Sequence, residues 1–279
     1  MPATLTRGTA GLIRYDTFGT DTSASYTGTA TVSVSGGVIS LNSAGFLVYG
    51  ATAGVKCMTA KAQASAEVGC GGVIICANTA MNPSPANRDY YRLDYGAGNW
   101  LLRQYIDNSA TTLATIATPD PSVNDWCVSR IYISAGTVYG RTGTTALNVG
   151  GSGADATYAS GYGGLVLGGG GVTPNRNGDN FHACTSHIVT VTTLPAGSSV
   201  VCSDGTTTAS ADTAAGTATV DCGAILFPLA TITAYDSTGG GGNVLVQLTT
   251  ATYADMCGGD SYAYDAGVGG TKYVLVVKS

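Results

Sequence analysis

Residues 90–108 read YYRLDYGAGNWLLRQYIDN, and this stretch indicates the fold class of the chain. It contains two runs of strand-forming residues, 90–95 and 100–106, on either side of a glycine-containing turn. The same alternation of apolar and polar residues recurs in ATVSVS at 30–35 and RIYIS at 130–134, as half-buried strands require. From residue 12 to 191, about ten such short segments predict a β-sandwich or jelly roll.

The composition argues against a helical protein. Charged residues make up 10% of the chain, and Glu67 is its single glutamate. Helix surfaces normally use Glu, Lys, Gln and Arg, whereas this chain is rich in Thr, Val, Ile and Tyr, which favour strands. Its 41 glycines suit the turns between short strands. The sequence therefore predicts an all-β protein.

A change of pattern at TTLPAG, residues 192–197, places a predicted domain boundary after residue 192. Residues 1–192 are predicted to form a large jelly-roll sandwich. Residues 193–279 alternate again, as in SSVVCS at 198–203 and VLVQLTT at 244–250. This is enough chain for a smaller immunoglobulin-like β-sandwich, a fold that typically has roughly 100 residues.

The charge pattern argues against a nucleic-acid partner, and the hydropathy of the sequence argues against insertion in a membrane. The net charge is −5 and the positive residues are dispersed, so no basic stripe is available for nucleic acid. The opening MPATLTRGTAGLIRY lacks the apolar segment of a signal peptide, and no run approaches the ~20 apolar residues that span a bilayer. We therefore expect no signal peptide, no membrane insertion and no nucleic-acid partner.

The cysteines divide unevenly between the two predicted domains. Five precede the boundary and three follow it: Cys57, Cys70, Cys76, Cys127 and Cys184, then Cys202, Cys222 and Cys257. Because both sets are odd, complete disulfide pairing needs at least one bridge between domains or between subunits. Buried thiols are the alternative, since cysteine is also a common small core residue.

The motifs resemble two known kinds of domain. The first part resembles the concanavalin A-like or laminin-G-like jelly-roll superfamily in YDTF at 15–18, the run at 90–108, RIYISAGTVYGRTG at 130–143, GYGGLVLGGGG at 161–171 and GDNF at 178–181. The second part resembles immunoglobulin-like modules in GTATVDCG at 216–223, TITAYDSTGG at 231–240 and CGGDSY at 257–262. The glycine runs at 150–153 and 168–171 are predicted to be loops. Such pairs of domains imply a phage or virus structural protein, for capsid decoration, the outer shell or the tail.

The resemblance also raises the question of catalysis. Glycoside hydrolases of the jelly-roll superfamily place two carboxylates on one strand, because one protonates the leaving oxygen while the other attacks or activates water. Glu67 has no acidic neighbour, and the five-residue spacing of Asp89 and Asp94 puts them on opposite faces of a strand. We expect no enzyme activity.

Two kinds of ligand remain open. Aromatic faces bind sugars, and the five grouped rings Tyr90, Tyr91, Tyr95, Trp100 and Tyr105 offer such faces, although alternation directs about half of them into the core. The oxygens of Asp16, Asn177 and Asp179 are suited to calcium, so calcium is the one cofactor that the residues leave open.

Structural assembly accounts for the low charge, the two sandwiches and the odd cysteine counts together. We expect a non-catalytic virion structural protein at the virion surface or outside the cell, in contact with copies of itself and other virion proteins. The alternatives are a carbohydrate-binding adhesion module that recognises surface glycans, with or without calcium, and a microbial surface or filament subunit.

Overall fold

The computed structural model describes residues 2–28, 31–42, 45–49, 54–65, 69–77, 89–96, 98–107, 109–117, 121–122, 124–167 and 177–267. The helical segments in these ranges include short 3-10 turns at Ser23–Ser25 and Thr238–Gly240, and none of them is long and apolar enough to cross a membrane. The prediction of an all-β chain is confirmed.

The strands, in chain order, are β1 (Thr4–Thr9), β2 (Leu12–Asp16), β3 (Tyr26–Gly28), β4 (Val32–Ser35), β5 (Val38–Leu41), β6 (Gly45–Tyr49), β7 (Cys57–Ser65), β8 (Gly69–Cys70), β9 (Gly72–Ala77), β10 (Tyr90–Gly96), β11 (Asn99–Ile106), β12 (Ser109–Ile116), β13 (Trp126–Ser134), β14 (Thr137–Gly143), β15 (Val149–Ala154), β16 (Tyr162–Leu167), β17 (Asn177–Cys184), β18 (Ile188–Thr192), β19 (Ser199–Ser203), β20 (Thr208–Asp212), β21 (Ala218–Asp221), β22 (Thr231–Tyr235), β23 (Val244–Thr249) and β24 (Ser261–Asp265).

The chain forms two compact units. The large unit is Ile13–Ser186, and the small unit combines Met1–Leu12 with His187–Ser279. The large unit is a jelly-roll sandwich. One sheet has seven strands in the order β12-β11-β10-β9-β16-β6-β3. The other has nine strands, in the order β15-β14-β13-β7-β17-β5-β4, with β2 beside β17 and β8 beside β7.

Alternation fills the space between the two sheets of the large unit. In β10, Tyr91, Leu93 and Tyr95 face inward and share one buried cluster with Met58 and Ile131 of the nine-stranded sheet. The neighbouring strand β9 begins at Gly72, where an added Cβ would lie 1.8 Å from the carbonyl oxygen of Leu93. Only glycine permits this approach of the two backbones.

The described residues of the small unit form two four-stranded sheets, β1-β24-β18-β21 and β20-β19-β22-β23. Strands β18 and β24 run parallel, and the other pairs are antiparallel. Buried side chains from both sheets include Val191, Val200, Val220 and Ile232.

A buried carboxylate holds the first strand of the small unit to the loop that precedes β24. Asp260 is 1% exposed and accepts hydrogen bonds from Arg7 Nη2 at 2.8 Å and Tyr262 Oη at 2.7 Å. It also accepts the backbone N–H groups of Gly11 at 2.7 Å and Cys257 at 3.1 Å. A buried charge with four donors stabilises the fold, because its desolvation is offset by an ion pair and hydrogen bonds.

The division of the chain differs from the predicted boundary after residue 192. Strand β1 pairs with β24, and β18 lies between β24 and β21, so residues 1–12 and 187–192 belong to the small unit and not to the jelly roll. The alternating pattern of residues 188–192 predicted a strand but could not indicate which sheet it joins. The immunoglobulin-like topology of residues 193–279 stays a prediction.

Candidate functional site

The five grouped aromatic residues do not form an exposed platform, which corrects that expectation. Tyr91, Tyr95 and Trp100 lie in the core between the sheets, as alternation requires. Tyr90 and Tyr105 face the other side of the seven-stranded sheet and stack with ring centroids 4.6 Å apart, but they are only 1% and 8% exposed. Their faces are therefore occupied by protein contacts.

The charged residues beside this stack neutralise one another. Asp94 is buried and accepts hydrogen bonds from Arg92 and, at 2.6 Å, from Arg103 Nη2. Asp89 instead accepts the backbone N–H of Asp107 at 2.9 Å. Asp94 is therefore engaged in ion pairs and Asp89 in a turn, so the two carboxylates have separate roles.

Asp16 is committed to the fold and not placed to bind calcium. Its Oδ1 accepts the N–H of Phe18 at 2.8 Å, and its Oδ2 accepts Arg14 at 2.6 Å, Thr22 at 2.7 Å and Tyr26 at 3.2 Å. Burial by itself would raise the pKa of Asp16, but these hydrogen bonds hold it below its ordinary value.

The other two predicted calcium ligands have partners of their own. Asn177 donates to Gln63 Oε1 at 3.0 Å, and Asp179 accepts the N–H of Asn180 at 2.6 Å. Burial raises the pKa of Asp179. The described part of the chain contains no cluster of three or more His, Cys, Asp or Glu residues suited to a metal ion. The structure therefore does not assemble the predicted calcium site.

Six of the eight cysteines are buried thiols: Cys57, Cys127, Cys184, Cys202, Cys222 and Cys257. The side chains of Cys70 and Cys76 lie outside the described residues. In the small unit, Cys202 lies in β19 and Cys222 directly follows β21, and the two thiols interact. This contact and burial raise the pKa of Cys202, so it stays a thiol at neutral pH.

A pocket of about 220 Å³ opens on the outer face of the nine-stranded sheet, at β14 and the edge strand β15. Its lining consists of Tyr139, Gly140, Arg141, Gly150, Gly151 and Ser152. An added Cβ at Gly140 would meet Leu93 and Leu102 in the core, so the neighbours Tyr139 and Arg141 face outward. The register places Tyr139 opposite Ser152, and Arg141 opposite Gly150.

One face of the Tyr139 ring is covered and the other borders the pocket. Tyr132, opposite Tyr139 on β13, stacks on it with centroids 4.8 Å apart and an interplanar angle of 7°. The position on the other side is Ser152, which is exposed and too small to cover the ring. This stack fixes the orientation of the half-buried Tyr139 ring toward the pocket.

Glycine creates the space for the charged group of the pocket. A Cβ at Gly150 would lie 2.9 Å from Arg141 Cγ, so any other residue would displace the stem of this arginine. Arg141 Nη1 donates to the carbonyl oxygen of Leu147 at 3.4 Å, and no described carboxylate forms an ion pair with it. The pocket therefore presents a guanidinium, a hydroxyl and an aromatic ring together.

A row of basic side chains crosses the same outer face and ends at the pocket. Arg141 lies opposite Arg130 on β13, Arg130 opposite Thr59 on β7, and Thr59 opposite His182 on β17. Arg130 is fully buried, and its Nε donates to Thr59 Oγ1 at 2.6 Å. Burial, assisted by the charge of Arg130, lowers the pKa of His182 to about 3.

The sequence did not indicate this pocket. Residues 130–143 resembled a structural motif, and the glycines at 150–153 predicted a loop, whereas they lie in strand β15. The available signal was the pairing of two tyrosines, Tyr132 and Tyr139, at nearly equal distances from the turn at Ala135 and Gly136. Such spacing predicts a cross-strand pair on one face of a hairpin.

Comparisons with known proteins give similarities of structure only. No protein-family model and no curated protein matches the sequence. The carbohydrate-binding module CBM66 from Bacillus subtilis is 12% identical, with a TM-score of 0.41, over 57% of this chain and 93% of that one. A Bacillus licheniformis β-glucanase is 13% identical, with a TM-score of 0.45, over 64% and 99%. The CBM2 module of the evolved Dit of Lactobacillus casei BL23 phage J-1 is 11% identical, with a TM-score of 0.41, over 66% and 96%. These values do not assign the chain to a family.

Proposed function

We propose that this protein is a non-catalytic carbohydrate-binding module whose saccharide site is the pocket of Tyr139, Arg141 and Ser152. One observation carries the proposal: the Tyr139 ring is held by Tyr132 on one side, and its other side borders a pocket with a guanidinium and a hydroxyl. Sugars need this combination, because their C–H faces pack on rings while their hydroxyls require hydrogen bonds.

The lining of the pocket also favours binding over catalysis. Hydrolysis of a glycosidic bond by the usual route needs two carboxyl groups beside the scissile bond. The six lining residues include no carboxylate, and Asp94, on the other sheet, is held between two arginines. The absence of enzyme activity is accordingly part of the proposal, and an assay for released reducing sugar from the bound polysaccharides tests it.

A glycan array followed by calorimetry on the best ligands tests the binding site. Tyr139→Ala is expected to weaken binding by about tenfold or more, because it removes the stacking surface. Ser152→Trp is expected to block binding by filling the pocket, and since Ser152 is exposed this change leaves the core intact. Tyr235→Ala, which removes a half-buried tyrosine of β22 in the small unit, is the matched control. Binding unaffected by both pocket variants, or no binding to any glycan, would refute the proposal.

A role in a virus particle is the second candidate, and it is supported by composition: charged residues make up only 10% of the chain, as suits a surface packed against other subunits. We propose that the module works at the virion surface or outside the cell, in contact with copies of itself and other virion proteins. Sedimentation at high concentration, together with antibody labelling of purified particles, tests this; monomers alone and unlabelled particles would count against it.

A further inference from the structure

The charge of Arg141 narrows the class of saccharide that the pocket is suited to bind. Among the described residues that line the pocket, Arg141 alone is charged, and it makes no ion pair with another described residue. Along β15 the next carboxylate is Asp155, just beyond the strand, and its Oδ1 already accepts Tyr91 Oη at 2.6 Å and the N–H of Thr157 at 2.8 Å. The guanidinium of Arg141 thus retains donors for a ligand.

A second positive charge lies directly across the strand pair. Arg130 on β13 is opposite Arg141 on β14, and like charges at directly opposite positions destabilise a sheet. Arg130 is fully buried, so water screens its charge poorly. An anion bound at Arg141 would lower this repulsion. A neutral ligand would not.

The positive charge of Arg130 also affects the histidine at the other end of this row. His182 lies two strands from Arg130, and the charge of Arg130 contributes, after burial, to the low pKa of its imidazole. The charge of Arg130 therefore acts across this part of the outer face, although the whole chain carries a net charge of −5.

We infer that the pocket takes anionic saccharides, in which a sugar ring packs against Tyr139 while a carboxylate or sulfate group binds the guanidinium of Arg141. This inference rests on the proposed function, since it names the ligand class of the same site. Arginine suits both anions, because its planar fork of N–H donors matches two oxygens of either group. The two sources of the anion, uronic acids and sulfated sugars, are separate arms of the test.

The test compares ligands that differ in charge and share a backbone. Calorimetry at low salt would use oligogalacturonate, the same oligomer with its carboxylates methyl-esterified, a sulfated galactan oligosaccharide and its neutral galactan counterpart. At least one acidic ligand is expected to bind about tenfold tighter than its neutral partner, as a charge-assisted hydrogen bond implies. Added salt is expected to weaken the acidic ligand alone.

Two variants separate the local charge from the overall charge. Arg141→Gln is expected to weaken the acidic ligands much more than the neutral ones, so that the difference in affinity between them is lost. Lys56→Gln, which removes one exposed positive charge of the large unit outside the pocket, is expected to preserve the difference. Circular dichroism and thermal melts check that both variants fold.

The outcomes distinguish this inference from the proposed function. Equal binding of acidic and neutral ligands, or equal weakening of both by Arg141→Gln, overturns the anionic preference but leaves a saccharide site. Loss of the preference in Lys56→Gln would also overturn it, because the effect would then arise from overall charge. Failure of every saccharide to bind overturns the proposed function itself.

Discussion

Replacement of His182 by phenylalanine should make the large unit resistant to mild acid. His182 is 1% exposed, stacks on Tyr15 with centroids 4.0 Å apart, and neither ring nitrogen makes a hydrogen bond to a described residue. Phenylalanine keeps the stacking ring and removes the group that takes up a proton. The change therefore isolates the effect of protonation from the effect of packing.

The magnitude follows from the difference between folded and unfolded pKa values. Burial and Arg130 hold the pKa of folded His182 at about 3, against 6.5 for an ordinary histidine. Below pH 6.5 the unfolded chain binds a proton that the folded chain refuses, so stability is complete above this pH and falls as the pH approaches 3. At about 1.4 kcal/mol per pH unit, acidification from pH 7 to 4.5 should cost the large unit about 2.5 kcal/mol through His182 alone.

Tryptophan fluorescence during urea unfolding measures this effect in the large unit, because both tryptophans of the chain, Trp100 and Trp126, lie within Ile13–Ser186. The free energy of unfolding of the wild type should fall between pH 7 and 4.5 by about 2.5 kcal/mol more than that of His182→Phe. Carboxylates such as Asp16 titrate in both proteins and cancel in the difference. Parallel pH curves for the two proteins would refute the account of His182 as a buried neutral residue.

Three further changes test other parts of the fold. Asp260→Asn should destabilise the small unit by about 3 kcal/mol, since it removes the charge from a buried ion pair, and faster hydrogen exchange in β1 and β24 would report it. Refolding with oxidised glutathione should join Cys202 to Cys222, closing a loop of about 20 residues and stabilising the small unit by about 3 kcal/mol. Non-reducing peptide mass spectrometry and thermal melts check this, and a different cysteine pair would contradict it. Gly72→Ala should unfold the large unit because its Cβ would lie 1.8 Å from a backbone oxygen, whereas Gly96→Ala, with nothing within 4 Å, should be tolerated; circular dichroism compares them.

Local alternation predicted the strands but not which outward residues would be exposed. In residues 90–105 it correctly indicated two strands, and it implied that only part of the aromatic group would face inward. Tyr90 and Tyr105 do face outward from the core of the sandwich, yet they are buried in a second cluster with Val48, Ile74 and Val166. The period of a strand determines which face a side chain takes, whereas the covering of that face is a property of the tertiary structure.

The two largest departures from the predictions have the same origin. Strand β1 is recognisable only through its pairing with β24, whose residues are about 250 positions away. The glycines of β15 resembled a loop, but Gly153 is needed because an added Cβ would lie 2.7 Å from Leu113 Cβ on the other sheet. Glycine is used both in loops and where backbones approach closely, and only the fold distinguishes these uses.

Arg141 in the pocket stands out when it is compared with the other described arginines. Charged residues are scarce here, and where the structure describes arginines it mostly pairs them with aspartates. Ion pairs are formed by Arg7, Arg14, Arg92 and Arg103. Arg141 differs from these four, because it is half-buried on a strand, lies opposite Arg130 on the neighbouring strand, and forms no ion pair with a described residue. In a chain with few charged residues and with four of its six described arginines in ion pairs, the fold has no need of a charge at position 141, since a neutral side chain there would remove the repulsion with Arg130. Binding of the proposed anionic ligand would account for its charge.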